Sequence, residues 1–191
     1  MPRFLNPTML TWRLLPAVAL LALIFGGSSC LMQPSVSVRI TVADGSSMDV
    51  PLTEVPPPVT DGVVTIRNFQ FAPWDMGKDK PKAITFTLAM GFAAGSAPDS
   101  IRVEDFTEEP ILEIFTDPHA RVGKDGLYGG ISKPFAPEDE HVKWIMNLDN
   151  NVRVYRFTVK LKDGTTHVLL RPIFVPAPMK DFIRSQLGIK A

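Results

Sequence analysis

The fold is decided by the stretch YRFTVKLKDGTTHVLLRPIFV, which runs from residue 155 to residue 175. In its first part, apolar residues stand at every second position, which is the period of a strand with one buried face. Asp163 and Gly164 interrupt this pattern, and residues 167–175 form a return strand. Because Asp-Gly tolerates the positive φ of a type I′ turn, the stretch predicts a β-hairpin. The buried face of its first strand consists of Tyr155, Phe157, Val159 and Leu161.

Six further segments have the composition or the alternation of strands. They are residues 36–42, 63–71, 84–92, 101–106, 111–115 and 142–148, the last from the alternation of Val142, Trp144, Met146 and Leu148. Within residues 63–71 the apolar register changes between Ile66 and Phe69, which predicts a bulge. Eight short strands separated by turns predict an all-β fold, an antiparallel β-sandwich of immunoglobulin-like or transthyretin-like outline.

The chain after this sheet predicts a short C-terminal α-helix. Apolar residues recur at helical spacing, Pro178 suits the first turn and Gly188 suits the C-terminal cap. The apolar positions are Met179, Phe182, Ile183 and Leu187. We therefore expect residues 36–191 to form a single β-sandwich domain with a C-terminal helix, crossed by an extended proline-rich connector at residues 51–59.

The first thirty residues have the organisation of an export signal. Arg3 and Arg13 precede an uncharged apolar run over residues 14–25, and small residues then lead to Cys30, the one cysteine of the chain. The run is too short to span a bilayer as a helix. This order of a positive region, an apolar core and a small-residue cleavage zone resembles a bacterial lipoprotein signal with its lipobox.

The lipoprotein resemblance implies a site of lipidation and a location. Residues 1–29 would be removed, Cys30 would carry a diacylglycerol and an N-acyl chain, and residues 30–35 would be a lipidated tether. Leu31 stands where aspartate is the usual signal for inner-membrane retention in enteric bacteria. The resemblance thus implies the outer membrane, facing the periplasm, in a host with two membranes. Gly27 stands where a lipobox usually has a large aliphatic residue, which leaves a plain secreted protein or an uncut membrane anchor as alternatives.

Composition narrows the possible partners and cofactors of the mature chain. Removal of residues 1–29 from the 191 leaves 162 residues, enough for one domain with a real core. Arg3 and Arg13 are lost with the signal, so 18 basic and 20 acidic residues remain, and this weak balance argues against nucleic acid as a partner. With Cys30 as the sole cysteine, the folded part has neither an internal disulfide nor a thiolate or blue-copper site. We expect no cofactor besides the lipid on Cys30.

The three histidines are the candidates for catalysis or metal binding. Sequence motifs of serine hydrolases, nucleotide-binding loops and zinc proteases do not occur in the mature region. A hydrolase would have to use His119 or His141 with nearby carboxylates, whereas His167 follows the predicted hairpin turn. The acidic residues near the first two histidines are Asp117, Glu138, Asp139 and Glu140. Their spacing matches no defined metal site, so we expect no metal.

Residues 117–140 form the most unusual part of the mature chain. They are rich in glycine, proline and mixed charges, and they predict a long loop of the kind that often binds a partner. Its candidate binding residues are Asp117, His119, Tyr128 and Phe135. In the alternative interpretation, the rings of Tyr128 and Phe135 fold back to cap the sandwich. Trp74 is expected in the core, with a glycan-facing ring as its alternative.

Three functions remain compatible with the chain. The first is a lipid-anchored cell-envelope protein with a non-catalytic binding or assembly role, bound to the membrane through its lipid and to an envelope protein partner. The second is a membrane-tethered ligand-binding or glycan-binding module, which a large apolar cleft would favour. The third is an envelope hydrolase, which convergence of His119 or His141 with carboxylates in a cleft would favour.

Overall fold

The computed structural model of the protein describes residues 36–52, 56–74, 83–147 and 151–189. They belong to one compact unit that extends from Val36 to Ala191. The expected signal, the tether and Cys30 lie outside the described residues. In chain order the elements are β1 (Ser37–Thr41), β2 (Ser47–Pro51), β3 (Val59–Thr60), β4 (Val64–Trp74), β5 (Ala83–Phe92), β6 (Pro98–Asp105), β7 (Leu112–Asp117), β8 (Leu127–Ile131), α1 (Glu140–Asn147), β9 (Val152–Leu161), β10 (Thr166–Phe174) and α2 (Ala177–Leu187).

Two four-stranded antiparallel sheets pack face to face. Their strand orders are β3-β4-β5-β8 and β10-β9-β6-β7. The ring centroid of Phe69 on β4 lies 4.9 Å from that of Tyr155 and 5.0 Å from that of Phe157, both on β9 of the other sheet. One cluster of buried apolar side chains from both sheets fills the interior. The antiparallel β-sandwich with a short C-terminal helix is thereby confirmed.

The hairpin of β1 and β2 lies outside this core. Ile40 and Val50 pack against Val152 in a small cluster of their own, and Val42 packs with Val154 in another. Along β9, Val152 and Val154 alternate with the buried Arg153 and Tyr155, which lie on the opposite face of the strand. The hairpin thus covers the outer face of one sheet, and this is why both faces of β9 are buried at its start.

Two predicted details of the strands have clear outcomes. The register of β4 against β5 shifts between Ile66 and Asn68, which confirms the bulge. The hairpin of β9 and β10 is also confirmed, with Thr166 opposite Lys160. Its turn is not type I′, because Gly164 has a positive φ of 89° and Asp163 does not. A single left-handed glycine suffices in a longer turn of this kind.

The predicted strand at residues 142–148 is wrong, because Glu140–Asn147 form α1. Val142 and Ile145 are fully buried, a spacing of three that a helix places on one face. Trp144 and Met146 are only partly buried, although a strand would have buried them together with Val142. The alternation is therefore a coincidence of composition within a helical pattern. Leu148 lies outside the described residues.

The predicted C-terminal helix is confirmed as α2. Pro176 is its N-cap, Pro178 lies in its first turn and Gly188 ends it with a φ of 68°. The N–H of Gly188 donates to the carbonyl oxygens of Arg184 and Ser185, as expected of a left-handed glycine cap. Ile183 on this helix is buried in the main core, so α2 packs on the sandwich.

Candidate functional site

A cluster of charged side chains is buried inside the sandwich. The Oδ2 atom of Asp105, the last residue of β6, accepts a hydrogen bond from Nε of Arg153 on β9 at 2.8 Å, and Nη2 of Arg153 lies 2.6 Å from the same oxygen in an ion pair. Both side chains are fully buried. The other carboxylate oxygen accepts from the hydroxyl of Thr107 at 2.7 Å, and the Thr107 oxygen accepts from the Val154 N–H at 2.9 Å.

His141 and Tyr155 extend this cluster toward α1. Nδ1 of His141 lies 3.2 Å from Oδ2 of Asp105, and Nε2 lies 3.4 Å from the hydroxyl of Tyr155. The imidazole also packs against the rings of Phe86 and Phe135, with centroids 5.2 and 5.6 Å away. These contacts favour the neutral tautomer that carries its proton on Nδ1.

Burial and the neighbouring charged groups shift the pKa of Asp105 in opposite directions, and the pKa of His141 is subject to the same opposition. Burial by itself raises the pKa of Asp105, but the His141 contact and the Arg153 charge outweigh it and hold that pKa below its ordinary value. For His141, burial lowers the pKa, and the nearby Asp105 carboxylate does not offset it. The pKa of Tyr155 is raised well above its ordinary value, mainly by burial. At neutral pH the cluster is an ion pair beside a neutral imidazole and a neutral phenol.

This cluster stabilises the fold and does not present a reaction centre to solvent. Its histidine is 3 % exposed, and its aspartate, arginine and tyrosine are 0 % exposed. A substrate therefore has no access to it. His141 and Asp105 do converge, as the hydrolase hypothesis requires, but they converge in the closed core and not in a cleft.

We expect the free energy of unfolding to decrease as the pH falls from about 7.5 to about 5.5, with His141 as a principal cause. The unfolded chain binds a proton on this residue near the ordinary pKa of about 6.5, whereas burial keeps the folded imidazole neutral to lower pH. Protonation then favours the unfolded state. Chemical denaturation at several pH values measures this slope, and His141→Gln should reduce it.

The control for this prediction is His119→Gln, which replaces an exposed histidine and should keep the wild-type slope. Asp105 does not contribute to the slope between about pH 7.5 and 5.5. Its pKa is lowered, so its contribution to the free energy of unfolding is lost only below about pH 4. A slope that is unchanged or steeper in His141→Gln would contradict the assignment.

The candidate binding residues of segment 117–140 fall into two groups. Tyr128 and Phe135 are 3 % and 4 % exposed and belong to the main core, as the core-packing alternative expected. Asp117 accepts hydrogen bonds from the Tyr128 hydroxyl at 2.9 Å and from the His119 amide at 3.0 Å. His119 is exposed at the turn. Any contact with a partner in this segment would thus involve its exposed residues and not the two rings.

The expectation of one long loop over residues 117–140 is wrong in its middle part. Leu127–Ile131 form β8, which pairs with β5 along its whole length. Phe135 adds a bridge to Ile84 through two backbone hydrogen bonds. Because Gly129 and Gly130 have no side chains, the sequence of β8 lacks the alternation that indicates a strand. Only its backbone pairing with β5 defines this strand.

The histidines do not assemble a metal site within the described part of the chain. Among residues 36–52, 56–74, 83–147 and 151–189, there is no group of three or more histidine, cysteine or acidic side chains placed to hold an ion. His167 has a single carboxylate partner, with Nδ1 2.6 Å from Oδ2 of Asp61. This pair joins the β10 strand to the turn before β4.

A cavity of about 250 Å³ lies where β4, β10 and α2 meet. Most of its wall is apolar, and two arginines also line it: the exposed Arg67 of β4 and Arg171 of β10. The apolar wall includes Phe69, Phe71, Ile173, Met179 and Phe182. Phe182 is 52 % exposed, which places it on the solvent side of α2. An apolar hollow with a few charged or polar groups in its wall is the usual form of a small-molecule site.

Arg171 is an unusual wall residue because it is buried without a carboxylate. It is 2 % exposed, and within the described residues its hydrogen-bond partners are the carbonyl oxygens of Pro57 and Ile66 at 3.2 Å and of Pro56 at 3.4 Å. Its Nε has no hydrogen-bond partner. Burial lowers its pKa from the ordinary value of arginine. Positive charge in so apolar a place is costly unless an anion balances it.

Sequence reasoning missed both buried arginines, although a signal was present. Arg153 and Arg171 stand at the same parity as the core residues of their strands, next to Tyr155 and Ile173. A charged residue in the buried register of a clear strand indicates a buried ion pair or a binding site. The prediction that Trp74 is buried is wrong as well, since its side chain is 39 % exposed.

Comparison with known proteins assigns no family to the chain. No protein family model, no curated protein and no solved structure matches it. Neither α1 nor α2, the helices of the described residues, has the length and apolar character that a membrane span requires. The class that fold and site define is an antiparallel β-sandwich with an arginine-containing apolar cavity.

Proposed function

We propose that the protein is a lipid-anchored component of the cell envelope with a non-catalytic binding role, and that the cavity beside α2 is its ligand site. The lipid on Cys30 would hold it to the membrane, and in a host with two membranes it would face the periplasm from the outer membrane. An envelope protein partner belongs to the same proposal.

The observation that carries the binding role is the position of Arg171 in the cavity. A buried guanidinium with an unpaired Nε inside apolar walls is costly for the fold alone, whereas an anionic ligand would balance its charge. The hydrolase alternative is less well supported. His141 is closed off in the core, and His119 is exposed on a turn where Asp117 is already engaged with Tyr128.

Replacement of the lipidation site should change where the protein is found. We expect Cys30→Ser to release the domain from the membrane fraction or to leave it as an unprocessed precursor, because the thiol is the point of lipid attachment. Fractionation of cells that express the full chain, followed by immunoblotting for size and location, measures both outcomes.

Ser29→Ala is the matched control, because it keeps a small residue beside the cleavage point and leaves the thiol intact. Unchanged membrane association of Cys30→Ser, together with correct removal of the signal, would contradict the anchor. The same wild-type membranes test the binding role, since a ligand or partner held by the domain should co-purify with it.

A further inference from the structure

The free hydrogen-bonding capacity of Arg171 defines what its cavity can bind. A guanidinium has five N–H donors, and three are used by carbonyl oxygens. Both donors of Nη1 are engaged, by Pro57 and Ile66, and one donor of Nη2 makes the longer contact with Pro56. The remaining donors are on Nε and Nη2. These two nitrogens form one edge of the guanidinium plane, which matches the two oxygens of a carboxylate.

In residues 36–52, 56–74, 83–147 and 151–189, no carboxylate forms a salt bridge with this edge. Within the described residues, Arg171 makes no salt bridge, in contrast to Arg153, whose buried charge is paired with Asp105 at 2.6 Å. The two arginines lie on neighbouring strands of one sheet, and among the described residues Arg153 is balanced by a carboxylate whereas Arg171 is balanced by carbonyl dipoles. A bound carboxylate would give Arg171 the pairing that Arg153 already has.

The remaining wall fits an unbranched apolar tail of limited length. Phe69, Ile173 and Met179 contribute apolar surface from β4, β10 and α2. A volume of about 250 Å³ is close to the lower end of ordinary ligand pockets, which suits a ligand of moderate size. Longer chains would have to leave the cavity past Phe182, which is more than half exposed.

We infer that the cavity binds a medium-chain carboxylate, with its two oxygens on Nε and Nη2 of Arg171 and its tail against the apolar wall. The inference rests on the proposed binding role and names the class of ligand. Since Nε has no exposed surface, entry of the ligand requires a shift of the wall, whose solvent side is formed by the 52 % exposed Phe182. A phosphate headgroup is the competing anion, because Arg67 also lines the cavity and carries further donors.

The test is a titration of octanoate, labelled with ¹³C at the carboxyl carbon, into the full chain held in lipid nanodiscs. Empty nanodiscs correct for partition into lipid. We expect saturable binding to the wild type, and binding of octanol, which has the same chain without charge, at least about tenfold weaker. Arg171→Met should lower octanoate affinity by about tenfold or more, whereas Arg102→Met, at an exposed arginine of β6, should leave it unchanged.

Met179→Trp tests the contribution of the cavity independently of the charge, because the larger side chain fills the space while Arg171 is kept. It should abolish octanoate binding, and it decides the question even if Arg171→Met does not fold. Absence of saturable binding to the wild type, or equal binding to Met179→Trp, would overturn the inference. Tighter binding of octyl phosphate than of octanoate would overturn the choice of carboxylate.

Fractionation of Cys30→Ser and co-purification from native membranes are independent of this titration, so failure of the proposed function is distinguishable from failure of the ligand class.

Discussion

Asp105→Ala should lower the free energy of unfolding by about 3–5 kcal/mol, because it removes one partner of a buried ion pair. Arg153 would keep its charge in the core, with only Glu108, whose side chain is 54 % exposed, at 3.0 Å. The Thr107 hydroxyl would also lose its acceptor at 2.7 Å, and His141 would lose the neighbouring carboxylate. Urea denaturation followed by circular dichroism measures the change.

A matched surface pair provides the control for the ion-pair prediction. Glu113 lies 3.2 Å from Arg102, and both side chains are about half exposed. Glu113→Ala should therefore cost at most about 1 kcal/mol. The double variant Asp105→Leu with Arg153→Met should recover most of the lost stability, since apolar residues often replace a buried ion pair without loss. An Asp105→Ala change as small as that of Glu113→Ala would show that the buried pair contributes little.

Tyr128→Ala and Phe135→Ala should each lower the free energy of unfolding by about 3 kcal/mol, because each deletes a large ring from a packed core. Phe135 packs edge-on against Phe86, with centroids 5.7 Å apart, and Tyr128 lies near Phe115 at 6.5 Å. Burial also raises the pKa of the Tyr128 phenol, so its hydroxyl remains a donor to Asp117. Thermal and chemical denaturation of both variants give the result.

Two further variants distinguish packing from hydrogen bonding and from partner contact. Tyr128→Phe keeps the ring and loses the bond to Asp117, so it should cost only about 1 kcal/mol. Ile131→Ala replaces a half-exposed residue on the same strand and should change stability little. If either ring variant kept the wild-type melting temperature and lost partner capture, segment 117–140 would be a contact surface formed by its rings.

Seven of the strands and α2 were predictable because their signals are local, whereas β2, β3 and β8 were not among the predicted strands. In β9, Tyr155, Phe157 and Val159 are fully buried at alternate positions, as their order along the chain indicates. α1 was not predictable in the same way, because Val142, Trp144 and Met146 mimic the period of a strand within eight residues. The strand β8 lacked a signal altogether, since its two glycines leave only the pairing with β5 to define it.

The candidate sites depended on partners that are distant in sequence. Asp105 and Arg153 are 48 residues apart, and Arg171 lies 114 residues from the carbonyl of Pro57. A local sequence pattern does not indicate which charged residues come into contact over such separations along the chain. A search for known motifs does not detect single arginines either. Asp117 and Tyr128, by contrast, are 11 residues apart, and their hydrogen bond assigns a structural task to two residues that the sequence suggested for binding.

The sequence by itself determined that the chain after residue 35 forms an antiparallel β-sandwich closed by a helix, because alternation and capping are encoded between near neighbours. It also predicts an export-type signal before its one cysteine. Only the tertiary structure decided which polar groups are buried and what faces them. Desolvation depends on the whole surrounding fold, and it is desolvation that makes the pairing of Arg153 necessary and the unpaired Nε of Arg171 beside an apolar cavity costly.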